Sequence, residues 1–219
     1  MSTLQKNLQK IQSTIPPQVT LVAISKTKPV QDIMEAYQAG QKIFGENKVQ
    51  ELVQKYETLP KDIQWHLVGH LQTNKVKYIA PFVTLIHSVD SLKLLEAIQQ
   101  QGAKNQRKIS ILLQVYIAKE ETKFGLDQTE LEEICGQASR FNYVNIEGVM
   151  GMATNTDNEA VVRNEFKNLK KNFLNVKSVY FAQSPAFRHI SMGMSSDYIM
   201  AIEEGSTMVR VGSLIFGDR

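Results

Sequence analysis

Eight short apolar runs, separated by amphipathic stretches, are spread over 219 residues, and this alternation restricts the chain more than any other feature. The first is Leu21-Val22-Ala23-Ile24, followed at once by Ser25-Lys26-Thr27-Lys28-Pro29. The others fall at 42–44, 64–68, 82–86, 109–115, 145–150, 188–192 and 208–211. A short continuous apolar run bounded by turn residues reads as a strand buried on both faces, which suits a parallel sheet covered by helices. Eight such units in roughly 200–250 residues is the count for a TIM (β/α)8 barrel. An open doubly wound sheet is the alternative. It would carry a glycine fingerprint in its first βα turn, and Ser25-Lys26-Thr27-Lys28-Pro29 has no glycine.

The stretches between the runs follow helical spacing. Leu4, Leu8 and Ile11 share a face, so a helix precedes the first strand, and Pro16-Pro17 ends it. Val30, Ile33, Met34 and Tyr37 mark the next helix, with Gly40 where a C-terminal cap belongs. Val49, Leu52, Val53 and Tyr56 mark a third, and a short helix passes through Val76 and Ile79. Leu92, Leu95 and Ile98 follow, and residues 102–108 read as a turn. Residues 117–126 form a longer loop. Asp127 with Glu130 predicts a capping box, and Thr156 with Glu159 predicts a second one, ahead of a long helix through Val162, Phe166, Leu169 and Phe173. The last helix carries Tyr198, Ile199 and Ile202. Little follows the eighth strand, so the N-terminal helix is expected to cover part of the space of a missing eighth helix. No composition shift divides the chain, and residues 1–219 are expected to form a single domain.

With 25 basic and 22 acidic residues interspersed, the net charge is only +3, and no basic block marks a nucleic-acid surface. No apolar run approaches a membrane span, and the opening residues do not resemble a signal peptide. The one cysteine, Cys135, cannot form an intramolecular disulfide and sits beside Ile134 in a helical pattern, as a small buried hydrophobe. A cytoplasmic location is expected. His66 and His70 are four apart but flank a strand end and a glycine, with no third ligand near, so no metal is expected. His87 and His189 read as pocket-lining hydrogen bonders.

In a barrel, chemistry sits at the C-terminal strand ends, and a phosphate site is often built by the loops after strands 7 and 8. Ser191-Met192-Gly193-Met194-Ser195-Ser196 places glycine and hydroxyls just before a helix, and Gly212-Ser213 offers a second glycine and hydroxyl. Lys26 lies at the end of the first strand, where an amine held by apolar surroundings can attack a carbonyl. An amine at one edge of the mouth and a phosphate cradle at the other describe a pyridoxal phosphate site. Arg210, between Val209 and Val211, is expected to be buried and directed toward the mouth. A guanidinium facing a pyridine nitrogen would hold that nitrogen without a proton.

These residues carry a resemblance that spans nearly the whole chain. Val22-Ala23-Ile24-Ser25-Lys26-Thr27-Lys28-Pro29, Phe44-Gly45-Glu46-Asn47-Lys48-Val49-Gln50-Glu51, Trp65-His66-Leu67-Val68-Gly69-His70-Leu71-Gln72-Thr73-Asn74-Lys75 and His87-Ser88-Val89-Asp90-Ser91 come first, in order. Gly148-Val149-Met150-Gly151-Met152-Ala153, Ser191-Met192-Gly193-Met194-Ser195-Ser196-Asp197 and Val209-Arg210-Val211-Gly212-Ser213-Leu214-Ile215-Phe216-Gly217 complete the set. The chain resembles the pyridoxal phosphate homeostasis proteins, the YggS/PROSC family, whose barrel is similar to the N-terminal domain of alanine racemase (fold type III). The resemblance implies a Schiff base between Lys26 and pyridoxal 5'-phosphate. It implies a phosphate site made by Ser191, Gly193, Met194 and Ser195 with Gly212 and Ser213, with Arg210 at the ring nitrogen and Asn47 near the ring. It also implies a monomer that meets apo-enzymes transiently. Two positions depart from the pattern: Ser213 stands where many relatives have Thr, and Tyr116-Ile117-Ala118 lacks the Asn common after strand 5.

Two functions of different class follow. One is a carrier that buffers the cofactor without turnover. The other is an amino-acid racemase or other Schiff-base enzyme. Racemisation needs two bases on opposite faces of the carbanion. In alanine racemases the second is a tyrosine from an additional β-domain across the dimer, and none follows in these 219 residues. The carrier is the expectation, with no catalytic residue assigned.

Overall fold

The computed structural model describes residues 1–118 and 124–217. Eight parallel strands close into a barrel in chain order: β1 (Thr20–Ile24), β2 (Ile43–Glu46), β3 (Gln64–Leu67), β4 (Leu85–Val89), β5 (Ile109–Gln114), β6 (Val144–Met150), β7 (His189–Ser191) and β8 (Met208–Val211). Closure is made by β8 on β1, with Val22 opposite Arg210 and Ala23 opposite Val211. The helices are α1 (Thr3–Thr14), α2 (Val30–Gln38), α3 (Val49–Thr58), α4 (Val76–Ile79), α5 (Leu92–Lys104), α6 (Gln128–Gly136), α7 (Glu159–Tyr180), α8 (Tyr198–Glu203) and α9 (Ser213–Phe216).

The main apolar layer lies between strands and helices. Phe44, Trp65 and Leu67 on the strands meet Ile33, Leu52 and Phe166 on the helices, all with almost no exposure. Each such side chain contributes roughly 1.5–3 kcal/mol on burial. Inside the barrel a smaller apolar cluster of Val22, Leu85, Leu112, Met150 and Met208 fills the floor. The barrel interior is thus a packed core rather than a pore.

The expected helices form where their caps and faces require. Ser2 and Gln5 make a capping box for α1, and Asp127 with Glu130 makes the one expected for α6. Gly40 follows α2 with φ +97°, a conformation that favours glycine. The N-terminal helix lies against α9 as expected: Asn7 Nδ2 donates to the Ile215 carbonyl at 3.4 Å.

Three expectations are corrected. Strand β4 begins at Leu85, not at 82, and holds His87 and Ser88 inside it. Phe82 instead closes the turn after α4, with its ring stacked on Tyr56 at 3.8 Å. The turn expected from 102 starts later, because α5 runs to Lys104. Gly102 suits that helix because a Cβ there would come within 2.7 Å of the Tyr143 carbonyl. Helix α7 is capped by Asn158, whose side chain accepts from Ala160 N and Val161 N, rather than by Thr156. The loop after β5 returns at Leu126, which bridges to Val115; residues 119–123 of that expected loop lie outside the described residues.

Candidate functional site

A cavity of about 900 Å³ opens at the C-terminal ends of the strands. It joins Lys26, past the end of β1, to Arg210 on β8, with Asn47 from the end of β2 in the same wall. Met194, Ser195, Gly212 and Ser213 line the side below α8 and α9. Seven of the nine residues expected at a site thus share one cavity, while Ser191 and Gly193 do not line it.

Lys26 sits in a four-residue turn closed by Lys28 N donating to the Ser25 carbonyl at 3.0 Å. Thr27 in that turn has φ +65°, a left-handed conformation that a β-branched residue adopts only at a cost of order 1–3 kcal/mol. A buried ionic cluster lies behind the turn. Lys55 Nζ, on α3, donates to Glu46 Oε1 and Glu51 Oε1, both at 2.7 Å, and to the Ser25 carbonyl at 2.8 Å. Ser25 Oγ donates to Glu46 Oε1, and Thr27 N donates to Glu51 Oε1, both at 2.6 Å. Burial pushes the Glu46 carboxyl above the usual carboxylate range, against the pull of the Lys55 ammonium and the Ser25 hydroxyl. Its Oε2 is buried without a hydrogen-bond partner.

Across the mouth Arg210 is also buried, but its partners are neutral. Nη1 donates to Ser191 Oγ at 2.7 Å and Nη2 to the Gly151 carbonyl at 3.0 Å. Desolvation draws its pKa down to about 10, which leaves the guanidinium charged at neutral pH. The contact chain continues inward from Ser191 Oγ to His87 Nδ1 and from His87 Nε2 to His66 Nδ1, each at 3.0 Å. Donor direction fixes the tautomers. Arg210 can only donate, so Ser191 gives its proton to His87 Nδ1, and His87 Nε2–H then donates to His66. Both rings are held neutral: burial takes His66 down to about 3 and His87 well below its ordinary value, with neighbouring positive charge adding to the effect.

Ser191 therefore stands apart from the cavity wall, although it was expected at the phosphate site. It ends β7 with its side chain toward the barrel interior, and its hydroxyl is consumed in orienting Arg210. Gly193 shapes the loop through its backbone. Its φ is +96°, a Cβ would meet Ala201 Cβ at 2.6 Å, and its carbonyl accepts from Arg210 N at 3.0 Å.

The two loops beyond are stitched together by Gly212 N donating to Ser195 Oγ at 3.2 Å. The backbone N–H groups of Ser195, Ser196, Ser213 and Leu214 have no acceptor among the described residues. Helices α8 and α9 are short, so the anion-binding capacity here rests on these donors more than on a summed helix dipole. Four backbone donors and two hydroxyls on residues that line one cavity with a lysine and an arginine fit a phosphate ester that carries a carbonyl group and a ring acceptor.

Sequence reasoning missed part of the wall. His70, Gln114, Phe124 and Met152 also line the cavity. His70 Nδ1 lies 3.1 Å from Asp90 Oδ2, and its ring stacks on Phe124 at 4.6 Å. His87 and His189, expected as pocket-lining groups, do not line the cavity; His87 pairs with His66 beneath it. His66 and His70 engage different partners, and among the described residues no group of three or more metal-ligating side chains is found. Lys55 and Glu46 carried one usable signal. Glu51 and Lys55 are an i, i+4 pair on a helix that follows a strand ending in an acid.

Comparison with known proteins gives the same picture from outside. The family model for the alanine racemase N-terminal domain matches residues 1–219. The chain is 41% identical to the pyridoxal phosphate homeostasis protein of Aquifex aeolicus, over 91% of this chain and 86% of that one. Among solved structures, PipY of Synechococcus elongatus PCC7942 is 36% identical and covers 98% of this chain and 100% of its own. Its TM-score is 0.91 without PLP and 0.88 with PLP bound. Alanine racemase of Bartonella henselae, 19% identical with a TM-score of 0.74, shares the barrel over 98% of this chain and 58% of its own. The chain belongs to the alanine racemase N-terminal domain family.

Proposed function

We propose that this member of the family binds pyridoxal 5'-phosphate in the strand-end cavity and buffers it for intracellular vitamin B6 homeostasis, without catalytic turnover. One observation carries the proposal: Lys26, Arg210 and the unpaired N–H groups of the two loops converge on one cavity of about 900 Å³. The names of the relatives and the PLP bound in PipY support the choice of cofactor.

Bound pyridoxal phosphate supplies an aldehyde carbon that joins reversibly to a primary amine. Lys26 presents that amine. Ser195, Ser196, Ser213 and Leu214 offer backbone donors to the phosphate, and the hydroxyls of Ser195 and Ser213 add to them. Met194 and Gly212 shape the rim. Arg210 would face the ring nitrogen and hold it without a proton, while Ser191 and His87 hold the guanidinium in place. Asn47, in the cavity wall, would lie near the ring. A cavity far larger than one cofactor leaves room for water, which suits loading and unloading better than protecting a carbanion. We infer a cytoplasmic monomer that hands its cofactor to apo-enzymes in transient encounters.

A Schiff-base enzyme is the second reading. The observation in its favour is His70, which lines the cavity and is oriented by Asp90, as a second base would be. One experiment separates the two. The holo-protein is reduced with borohydride and digested, and Cα solvent-deuterium exchange is followed for each common amino acid. The label is expected on Lys26, with exchange at background. A label on Lys28, or none, would reject the site. Sustained exchange lost in both Lys26→Ala and His70→Asn would establish the enzyme.

A further inference from the structure

We propose that Lys55, together with Glu46 and Glu51, is a positioning unit for Lys26, setting the backbone of its turn so that the amine is presented to the cavity. The proposal rests on the reading that Lys26 carries the cofactor. None of the three side chains lines the main cavity. They act on the residues either side of Lys26. Lys55 holds the Ser25 carbonyl, Glu46 holds the Ser25 hydroxyl and Glu51 holds the Thr27 amide. The two residues that flank Lys26 are thus fixed by one ammonium bridging two carboxylates.

The conformation so fixed is one the chain would not choose. Thr27 is one of two non-glycine residues with positive φ among those described, and it is β-branched. Left to itself, the turn would relax toward negative φ and swing the neighbouring side chain. Glu51 blocks that relaxation by accepting from the one amide that must stay turned inward. Strain at a position of this kind persists only where surrounding contacts over-determine it, and here those contacts are the ionic cluster.

The test measures how fast apo-protein captures added pyridoxal phosphate, followed by absorption and checked by borohydride trapping and peptide mapping. Glu51 is the best probe because it is the partly exposed member of the cluster, and without it Lys55 keeps Glu46 as counter-charge. Glu51→Ala is expected to slow capture at least fivefold while circular dichroism stays native. Glu51→Gln keeps an oxygen that can accept from Thr27 N, and is expected to stay within twofold of wild type. Adding Thr27→Gly to Glu51→Ala is expected to recover most of the lost rate, because glycine adopts the left-handed turn without help. That rescue would not occur if Glu51 served overall stability alone. Lys55→Met is expected to slow capture more than Glu51→Ala, and where it fails to fold the Glu51 and Thr27 variants decide. Equal capture rates in wild type and Glu51→Ala, with label on Lys26 in both, would overturn the positioning role. No label on Lys26 in wild type would instead overturn the site reading, and the positioning role with it.

Discussion

Two buried cations flank the mouth, each about 5% exposed, and they are solved in opposite ways. Lys55 is surrounded by counter-charge: two carboxylates and a carbonyl take its protons. Arg210 has a hydroxyl and two neutral rings behind it and, among the described residues, no carboxylate within ion-pair distance. A buried charge left without a counter-charge costs free energy that a paired one recovers in part. The difference separates their roles. Lys55 is spent on the protein itself, whereas Arg210 keeps an unmet demand for an acceptor and turns it toward the cavity.

The largest effect should come from breaking the paired side. Lys55→Met strands Glu46 and Glu51 without their cation, and removal of one partner of a buried pair costs about 3–5 kcal/mol. Urea unfolding should show a loss of that size. A loss below about 1 kcal/mol would mean that the cluster is solvated and that the contrast with Arg210 is false.

Acid should sharpen the comparison, because the two walls titrate with opposite sign. On the Arg210 side, His66 and His87 have native pKa values depressed below the unfolded value, and His189 is lowered as well by burial. The native state then binds fewer protons than the unfolded chain. Stability is fully present above about pH 6.5 and is lost as pH falls; for His66 the loss runs toward pH 3 at up to about 1.4 kcal/mol per unit, and His87 and His189 act in the same direction. On the Lys55 side, Glu46 has a raised pKa, so its contribution is present below the unfolded value and is lost as pH rises through the native one. Unfolding midpoints between pH 7 and 5.5 should therefore fall, and His66→Gln should flatten the slope by one ring's share. An unchanged slope would show His66 to be charged or exposed.

The contrast also explains what could be read from sequence. The barrel was legible because its strands are short apolar runs bounded by turns, and because the layer between strands and helices is apolar throughout. Strand β4 slipped because its centre is His87-Ser88, and polar residues inside a barrel look like a strand end. The cavity was largely legible because Lys26, Ser195 and Gly212 follow strand ends and Arg210 lies near the end of β8, where the fold gathers them. Ser191 fell within the run read as a strand at 188–192, but the sequence did not show that its hydroxyl, at the last residue of β7, turns inward to Arg210 and His87. The ionic cluster was the least legible part. Glu51 and Lys55 look like any solvated helix face and Glu46 like an ordinary strand end, and only the closed barrel brings the three under the Lys26 turn.

The smallest effect on stability is expected on the unpaired side, and it tests the comparison most directly. Arg210→Met replaces a desolvated guanidinium by an apolar side chain of similar length. The hydroxyl of Ser191 still has His87 Nδ1 to receive its proton, so the inner chain keeps its tautomers. The Gly151 carbonyl loses a donor, which costs about 1 kcal/mol. Relief of a desolvated charge that Asp197 compensates only in part, from beyond ion-pair distance, offsets that loss, as replacement of buried ions by apolar groups is often neutral. Urea unfolding of the apo-protein should therefore move by no more than about 1 kcal/mol. Under the proposed function, retention of pyridoxal phosphate should weaken in the same variant, because the ring nitrogen loses its donor. The two readouts must part company. If Arg210→Met destabilises the apo-protein as much as Lys55→Met does, Arg210 is a structural cation like its counterpart across the mouth. The demand assigned to it would then already be met within the fold.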